Sequence, residues 1–317
     1  MKIGFIGLGN VGGKLAGSLI RNGHQVVVRD LEPALVSEFV ARGAAAATSP
    51  RDIGESCDVI ITCLPSPAAS AAVAEGPDGF IAAMHPGQVW MEMSTTDYEE
   101  VIRLGALVEA QGALFMECPV SGGCHRADTG NISIFAGGPR AGFDKVLPLL
   151  KSMGRRILHT GDLGTASKLK VMTNYLCTVH LVALAEALTT CKAAGLDMNT
   201  TYEAIRISSG NSFVHETESQ VILNGSRDIN FTMDLVSKDV GLFDEIAQEN
   251  GVPVELSPLI VRLFKESREQ YGDREFSPNI IRRFEEPLGL KVLGTGFPAD
   301  MVDDEPEEPG YEVVPRR

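Results

Sequence analysis

The feature that most limits how this chain can fold is "GLGNVG", Gly7 to Gly12, set between the apolar run KIGFI (2–6) and a helical pattern over 10–22. A glycine turn joining strand to helix, followed by a second strand QVVVRD (25–30), reads as the opening βαβ unit of a dinucleotide-binding sheet. Its glycines permit the tight turn, close backbone approach to a pyrophosphate, and tight helix–strand packing. The helix start adds free N–H groups and the positive end of a dipole. Gly7, Leu8, Gly9, Asn10, Val11 and Gly12 are therefore the expected cofactor contacts. A lone GxGxxG says little, since glycine turns are common. The strand before it, the helix after it and the acid ending the next strand give it weight.

That acid is Asp30, 18 positions beyond Gly12. A carboxylate there accepts hydrogen bonds from both adenosine-ribose hydroxyls and repels a 2′-phosphate, so NAD is expected in preference to NADP. Arg29 would suit a phosphate. Adjacent residues at a strand end point to opposite sides, however, so only one of the two faces the ribose.

Further strands over 58–64, 88–93, 113–118 and 132–138 alternate with helical segments near 33–42, 68–74, 97–111 and 140–151. This alternation predicts an α/β fold, a Rossmann-type doubly wound and mostly parallel sheet covered on both faces. From about residue 163 the strands stop. Helical patterns take over at 165–195, 199–208, 213–223, 232–249 and 256–271, with another near 278–285. We expect a dinucleotide-binding domain over 1–162 and an all-helical substrate and oligomerisation domain over 163–290, joined by the long helix that opens the second half. The last segment, 291–317, is acidic, Pro-rich and too poor in apolar residues to build a core, so it reads as a flexible tail or an arm on the body or a partner subunit.

Composition removes several classes of function. A chain of 317 residues is long enough for two domains. A net charge of −14 with no Lys/Arg block argues against nucleic acid and anionic membranes as partners. "MKIGFIG" enters a strand at once, leaving no room for a signal or transit peptide, and a cytoplasmic location is expected. The most apolar long stretch, 171–190, is interrupted by Asn174, His180 and Glu186 and reads as a packed helix, not a membrane span. Six scattered cysteines form no CxxC pair and no His/Cys cluster, so they are expected to be reduced thiols, and no metal site is expected.

Two more loops fall at C-terminal strand ends, where doubly wound sheets bind ligands. They are LPSP (64–67) and STT (94–96), which add Leu64, Pro65, Ser94 and Thr95 as expected cofactor contacts. The plainer reading of either loop is a set of hydroxyls capping the next helix.

Four segments in order carry a resemblance that covers roughly residues 2–285: FIGLGNVG (5–12), PVSGG (119–123), GDLGTASKLKVMTN (161–174) and KDVGLFDEIAQENGV (238–252). With these the chain resembles the β-hydroxyacid dehydrogenase family, which includes 3-hydroxyisobutyrate dehydrogenase, tartronate semialdehyde reductase and 6-phosphogluconate dehydrogenase. The resemblance implies that Ser121, Gly122 and Gly123 lie against a substrate carboxylate. The residue types agree, since two glycines expose N–H groups and a serine adds a hydroxyl donor. His125 and Arg126 follow directly, as a second polar contact or as rim residues. The resemblance also implies that Lys238 comes from a helix closing over the nicotinamide, the alternative being a surface pair with Asp239. Phe213 occupies a position that shapes specificity in the family.

The family's catalytic lysine follows a GxxG turn by six residues, which from Gly161 and Gly164 gives Lys170 and not Lys168. Helix geometry makes the same choice. Lys170 and Asn174 are i and i+4 on one face, continued by Thr178, whereas Lys168 lies about 200° away from Lys170. Relatives often carry Asn where this chain has Thr173. The resemblance makes Lys170 the general acid/base and Asn174 the residue orienting the substrate. A lysine near its ordinary pKa of about 10.4 is a poor base at neutral pH; burial beside a positive nicotinamide ring, with Lys238 nearby, would lower it toward about 7–8.

The expected activity is NAD-dependent interconversion of a small 3-hydroxy carboxylic acid and its semialdehyde by a homodimer or homotetramer. Two alternatives stand beside it. An imine reductase of the same fold typically replaces the lysine, and a non-catalytic NAD(P)-binding scaffold has lost it. Lys170 speaks against both. 6-Phosphogluconate is a poor candidate substrate, since the chain is short for that branch and shows no Arg/His phosphate cluster.

Overall fold

The computed structural model describes residues 1–316. The strands are β1 (Lys2–Ile6), β2 (Gln25–Arg29), β3 (Ala45–Ala46), β4 (Val59–Thr62), β5 (Val89–Glu92), β6 (Leu114–Glu117), β7 (Val120–Ser121), β8 (Ser133–Gly137), β9 (Arg156–Gly161) and β10 (Tyr311–Glu312). They form one sheet in the order β10-β9-β8-β6-β5-β4-β1-β2-β3, with β7 paired to β8. Pairing is parallel from β3 through β6, and β8 runs antiparallel to β6 and β7.

Period-2 alternation explains why both faces are covered. Ile3, Phe5, Val26, Val28, Val59, Ile61, Val89 and Met91 enter one hydrophobic cluster. The residues between them, Val27, Ile60 and Trp90, enter a second cluster on the opposite face, joined by Ile6 and Phe115. Strands with no polar face can only sit in the middle of a three-layer structure. Burying each such side chain contributes about 1.5–3 kcal/mol. Trp90 packs against Phe80 and Phe115 at centroid distances of 4.9 and 4.3 Å, and its indole N–H donates to Thr62 Oγ1 at 2.8 Å. Gly4 leaves the space taken by Ile53, whose Cγ2 would lie 2.2 Å from an added Cβ.

The chain divides into two compact units: Met1–Lys170 with the chain from Asp303 onward, and Val171–Val302. The division falls inside helix Thr165–Ala193, at residue 170; the Ala166 and Ser167 N–H groups in the first turn of that helix donate to the Glu117 carboxylate at the end of β6. In the second unit, Leu181, Val182, Leu184, Ala185 and Leu188 of the same helix pack with residues of helices Phe213–Asn224, Met233–Glu249 and Leu256–Tyr271. By length and composition alone Thr165–Ala193 is long and apolar enough to cross a membrane; those five residues are core residues instead. Tyr175 stacks on Phe243 at 3.8 Å.

The described residues of the segment expected over 291–317 fall into two parts. Val292 is buried in the second unit's core, and Thr295 N–H donates to Asn199 Oδ1 at 3.0 Å. From Asp303 the chain packs with the first unit and forms β10, which pairs parallel with β9. β3, β7, β9 and β10 are too short or too polar to stand out as strands in the sequence.

Candidate active site

β1 lies between β2 and β4, so strand order reverses there, and the glycine turn sits at its C-terminal end. The three glycines have different physical grounds. Gly7 has φ of 97°, and an added Cβ would fall 2.3 Å from the Cys63 carbonyl oxygen. At Gly12 a Cβ would fall 2.1 Å from the Gly7 carbonyl oxygen. At Gly9 a Cβ would meet nothing within 4 Å, so the fold itself does not require glycine there. Gly9 is also the N-cap of helix Asn10–Arg21 and supplies no side-chain cap. A residue kept bare where packing allows a side chain, at an uncapped helix start, fits close approach of a pyrophosphate.

Asp30 is tied to this loop. Leu8 N–H donates to its Oδ2 at 2.6 Å and Glu32 N–H to its Oδ1 at 2.9 Å. Each carboxylate oxygen keeps a second lone pair for a ribose hydroxyl. Arg29 folds back to donate to the Asp30 carbonyl.

The other two loops are joined through Glu92, a group with no local sequence signal. Glu92, at the end of β5, is buried, and burial pushes its carboxyl up despite the donors from Ser94. It accepts from Ser94 N–H at 2.8 Å and from Ser94 Oγ at 2.5 Å, while Leu64 N–H donates to Ser94 Oγ at 2.7 Å. The Ser94 hydroxyl is thus committed inside the protein and ties the Leu64 loop to the Ser94 loop. Pro65 is exposed and Thr95 half-buried. Ser66 caps helix Pro67–Glu75 by accepting from Ala69 N–H, the plainer role weighed for this loop.

Ser121 closes β7, and Gly122 and Gly123 follow with φ of 130° and 87°, a left-handed pair that glycine alone adopts without strain. The Arg126 stem lies against Gly122 and the His125 ring against Gly123. Burial holds the His125 imidazole below its ordinary pKa.

Lys170 projects from the second turn of helix Thr165–Ala193 and is 7% exposed, whereas Lys168 is exposed with its ammonium 4.0 Å from the Tyr98 ring centroid. The start of this helix is fixed by Glu117, at the end of β6. Its Oε1 accepts from Ala166 N–H and its Oε2 from Ser167 N–H, both at 2.9 Å, with Ser167 Oγ at 2.5 Å. Gly137 makes room for this carboxylate, since a Cβ there would lie 2.3 Å from Oε1. Glu117 thus satisfies two of the N–H groups at the start of the helix that carries Lys170. It stands 49 residues upstream of Ala166, so no local pattern announces it.

In the second unit Asn174 Nδ2 donates to Asp239 Oδ2 at 2.5 Å. Asp239 is buried, and its Oδ1 lies 3.1 Å from Lys238 Nζ. The motif's Lys–Asp pair therefore forms, and its aspartate also orients Asn174. Thr178 Oγ1 donates to the Asn174 carbonyl. Phe213 is the first residue of helix Phe213–Asn224 and is exposed. Glu218, on that helix, is raised to about 8 by burial and accepts from Cys177 Sγ at 3.7 Å. Among the described residues no group of His, Cys, Asp and Glu is placed to hold a metal, and all six cysteines are free thiols.

Residues 2–161 match a family model for the NAD binding domain of 6-phosphogluconate dehydrogenase, and residues 164–283 one for the NAD-binding region of NADP-dependent 3-hydroxyisobutyrate dehydrogenase. The chain is 33% identical to 2-(hydroxymethyl)glutarate dehydrogenase of Eubacterium barkeri over 93% of this chain and 98% of that one. The crystal structure of a 3-hydroxyisobutyrate dehydrogenase from Salmonella typhimurium superposes with a TM-score of 0.83 at 27% identity, covering 89% of this chain and 99% of that one. An imine reductase from Myxococcus stipitatus, at 16% identity and a TM-score of 0.62 over 90% of this chain and 99% of that one, shares the fold alone. The chain is an NAD-binding oxidoreductase and belongs to the β-hydroxyacid dehydrogenase family, alongside the 3-hydroxyisobutyrate dehydrogenases.

Proposed function

We propose that this chain interconverts a small 3-hydroxy carboxylic acid and its semialdehyde with NAD, with Lys170 as general acid/base. The observation that carries the reading is a buried lysine one turn from Asn174, on a helix whose start is pinned by Glu117. The bound nicotinamide supplies the hydride acceptor or donor. Lys170 takes the hydroxyl proton during oxidation and returns it to the carbonyl oxygen during reduction. Asn174, held by Asp239, orients the substrate, and the Ser121–Gly123 turn offers its N–H groups and hydroxyl to the carboxylate.

Gly7 through Gly12 and Asp30 hold the dinucleotide, with Leu64, Pro65 and Thr95 beside it and Ser94 fixing the loop edge. Asp30 favours NAD by repelling a 2′-phosphate. Lys238, paired with Asp239, and Phe213 complete the reading, as a cofactor and a substrate contact respectively. The relatives act, by name, on 2-(hydroxymethyl)glutarate and 3-hydroxyisobutyrate, and both are carboxylates bearing a β-hydroxyl. Six free thiols accord with a cytoplasmic setting, and exposed Leu169 and Leu176 on the long helix accord with a homodimer or homotetramer.

A spectrophotometric NADH assay across a panel of C3–C6 3-hydroxy acids, run in parallel with NADP, tests the proposal. Turnover of at least one acid, faster with NAD, is the expected result. Reduction of cyclic imines with NADPH and no hydroxy-acid turnover would replace it with the imine-reductase reading. Tight NAD binding with neither activity would leave only a scaffold.

A further inference from the structure

We infer that the C-terminal arm, through Asp303 and Glu305, positions the Ser121–Gly123 turn by way of Arg126 and the short helix Cys124–Thr129. The inference rests on the reading that this turn receives the substrate carboxylate.

The arm reads DDEPEEPGYE over 303–312, and the first unit faces it with four arginines. Glu312 takes Arg140 in a two-point pair at 2.6 and 3.0 Å, Glu308 pairs with Arg155, and Glu305 reaches Arg156 at 3.1 Å and Arg126 at 3.0 Å. Most of these are surface pairs, worth little singly. The backbone adds a firmer hold. Tyr311 N–H donates to the Arg155 carbonyl at 2.9 Å and Val313 N–H to the Ile157 carbonyl at 2.7 Å, extending the sheet beyond β9. Gly310 crosses so close to Gly154 that a Cβ would fall 2.0 Å from its carbonyl oxygen.

Asp303 is different in kind, with its side chain only 2% exposed. It accepts from Thr129 Oγ1 at 2.5 Å and Asn131 Nδ2 at 2.7 Å, and it lies 3.9 Å from Arg126 Nε. Asn131 Nδ2 also reaches the Glu305 carbonyl at 2.8 Å. These contacts grip both the middle and the end of helix Cys124–Thr129. The helix has six residues, too few to hold itself by propensity. It begins directly after Gly123, and the two glycines before it are the most freely rotating part of the segment. The stem of Arg126 lies beneath Gly122, where an added Cβ would be 3.2 Å from its Cδ. Fixing the Arg126 guanidinium therefore fixes what Gly122 rests on. The glycine turn at Gly7–Gly12 has its own tether in Asp30. The short helix meets helix Asn10–Arg21 at Asp128, through Lys14 and Arg21, away from that turn, so loosening the arm should change acid binding far more than dinucleotide binding.

The test uses the full-length chain with Asp303→Ala, Asp303→Asn and Glu305→Gln, beside Ser121→Ala. NADH binding is followed by fluorescence, and kinetics are measured with 3-hydroxyisobutyrate or whichever panel acid turns over fastest. Asp303→Ala should raise KM for the acid about tenfold, equivalent to about 1.4 kcal/mol, with kcat and NADH affinity within threefold of the parent. Asp303→Asn, which keeps one acceptor oxygen, should recover part of this, and Glu305→Gln should raise KM about threefold. If Asp303→Ala does not fold, Glu305→Gln decides. A purely structural arm would lower thermal stability and the active fraction while KM stayed constant, and that result overturns the inference. If Ser121→Ala raises KM and the arm variants do not, the inference alone falls. If Ser121→Ala leaves KM unchanged, the carboxylate reading falls and takes the inference with it.

Discussion

At Gly7, Gly9, Gly12, Gly122 and Gly123 the first unit shapes its loops with bare main chain, while Asn174, Lys238 and Asp239 in the second unit present side chains held by one another. The two ways of building differ in what they demand. A main-chain cradle needs residues without bulk at fixed spacing, and its donors are oriented by the strand before it and the helix after it. A side-chain cluster needs partners from distant helices, because an amide or carboxylate without a partner costs about 1–3 kcal/mol when buried. Helix Thr165–Ala193 carries Lys170 and Asn174 one turn apart, and the unit division falls between them.

That contrast can be broken or sharpened by experiment. The largest effect is expected at Lys170. Lys170→Met should lower kcat/KM about 10²–10⁴-fold, the range for losing a general acid/base, with NADH affinity unchanged; near-normal turnover would remove the side-chain chemistry from this helix. Next comes Glu218, in the helical unit. An unfolded glutamate ionises from about pH 4.5, whereas the folded one keeps its proton to about 8. The unfolded state therefore releases the proton first, and stability falls as pH rises across that window at up to about 1.4 kcal/mol per unit. Glu218→Gln should flatten that slope in urea denaturation curves; an unchanged slope would mean the carboxyl ionises freely.

Glu117→Gln turns one accepting oxygen into a donor facing backbone N–H groups, and it should destabilise the chain by about 1–3 kcal/mol. Equal stability would show that the helix start is held by something else. Smaller again is the glycine pair. Gly9→Ala should keep the melting temperature and weaken NADH about tenfold, or about 1.4 kcal/mol, whereas Gly12→Ala should lower the melting temperature as well. NADH binding by Gly9→Ala at full strength would contradict a main-chain cradle. The smallest effect belongs to Lys168→Gln, which loses one exposed cation–π contact with Tyr98, about 0.5–1 kcal/mol, and should leave kcat within twofold. A large loss there would unseat Lys170 as the lysine that matters.

Legibility followed the same contrast. The strands of the sheet centre were readable because Val26–Val28 and Val59–Ile61 have no polar face, and a continuous apolar run bounded by turns has few other uses. Gly7, Gly122 and Gly123 were readable because left-handed or crowded backbone leaves a mark in residue type. Lys170 was separable from Lys168 because helix periodicity is fixed at 100° per residue. Glu92 and Glu117 were not readable. Each is a single acid at a strand end, and its partner is a loop or helix start reached only through the sheet. The Ser94 hydroxyl looked available for a ligand until its donation to Glu92 was seen.

By itself the sequence determined the class of fold, and it singled out the glycine turn at Gly7–Gly12 and Lys170 over Lys168 as candidates, because each depends on local spacing and backbone freedom. Only the tertiary structure decided that the acidic C-terminal segment splits at Asp303 and returns as a strand beside β9. It also decided that Glu117 caps the helix bearing Lys170 and that Asp239 orients Asn174. These are contacts between residues 49 to more than 150 positions apart. A carboxylate's partner across such a span is set by which strand ends and helix starts the fold brings together, and no local pattern in the chain encodes that.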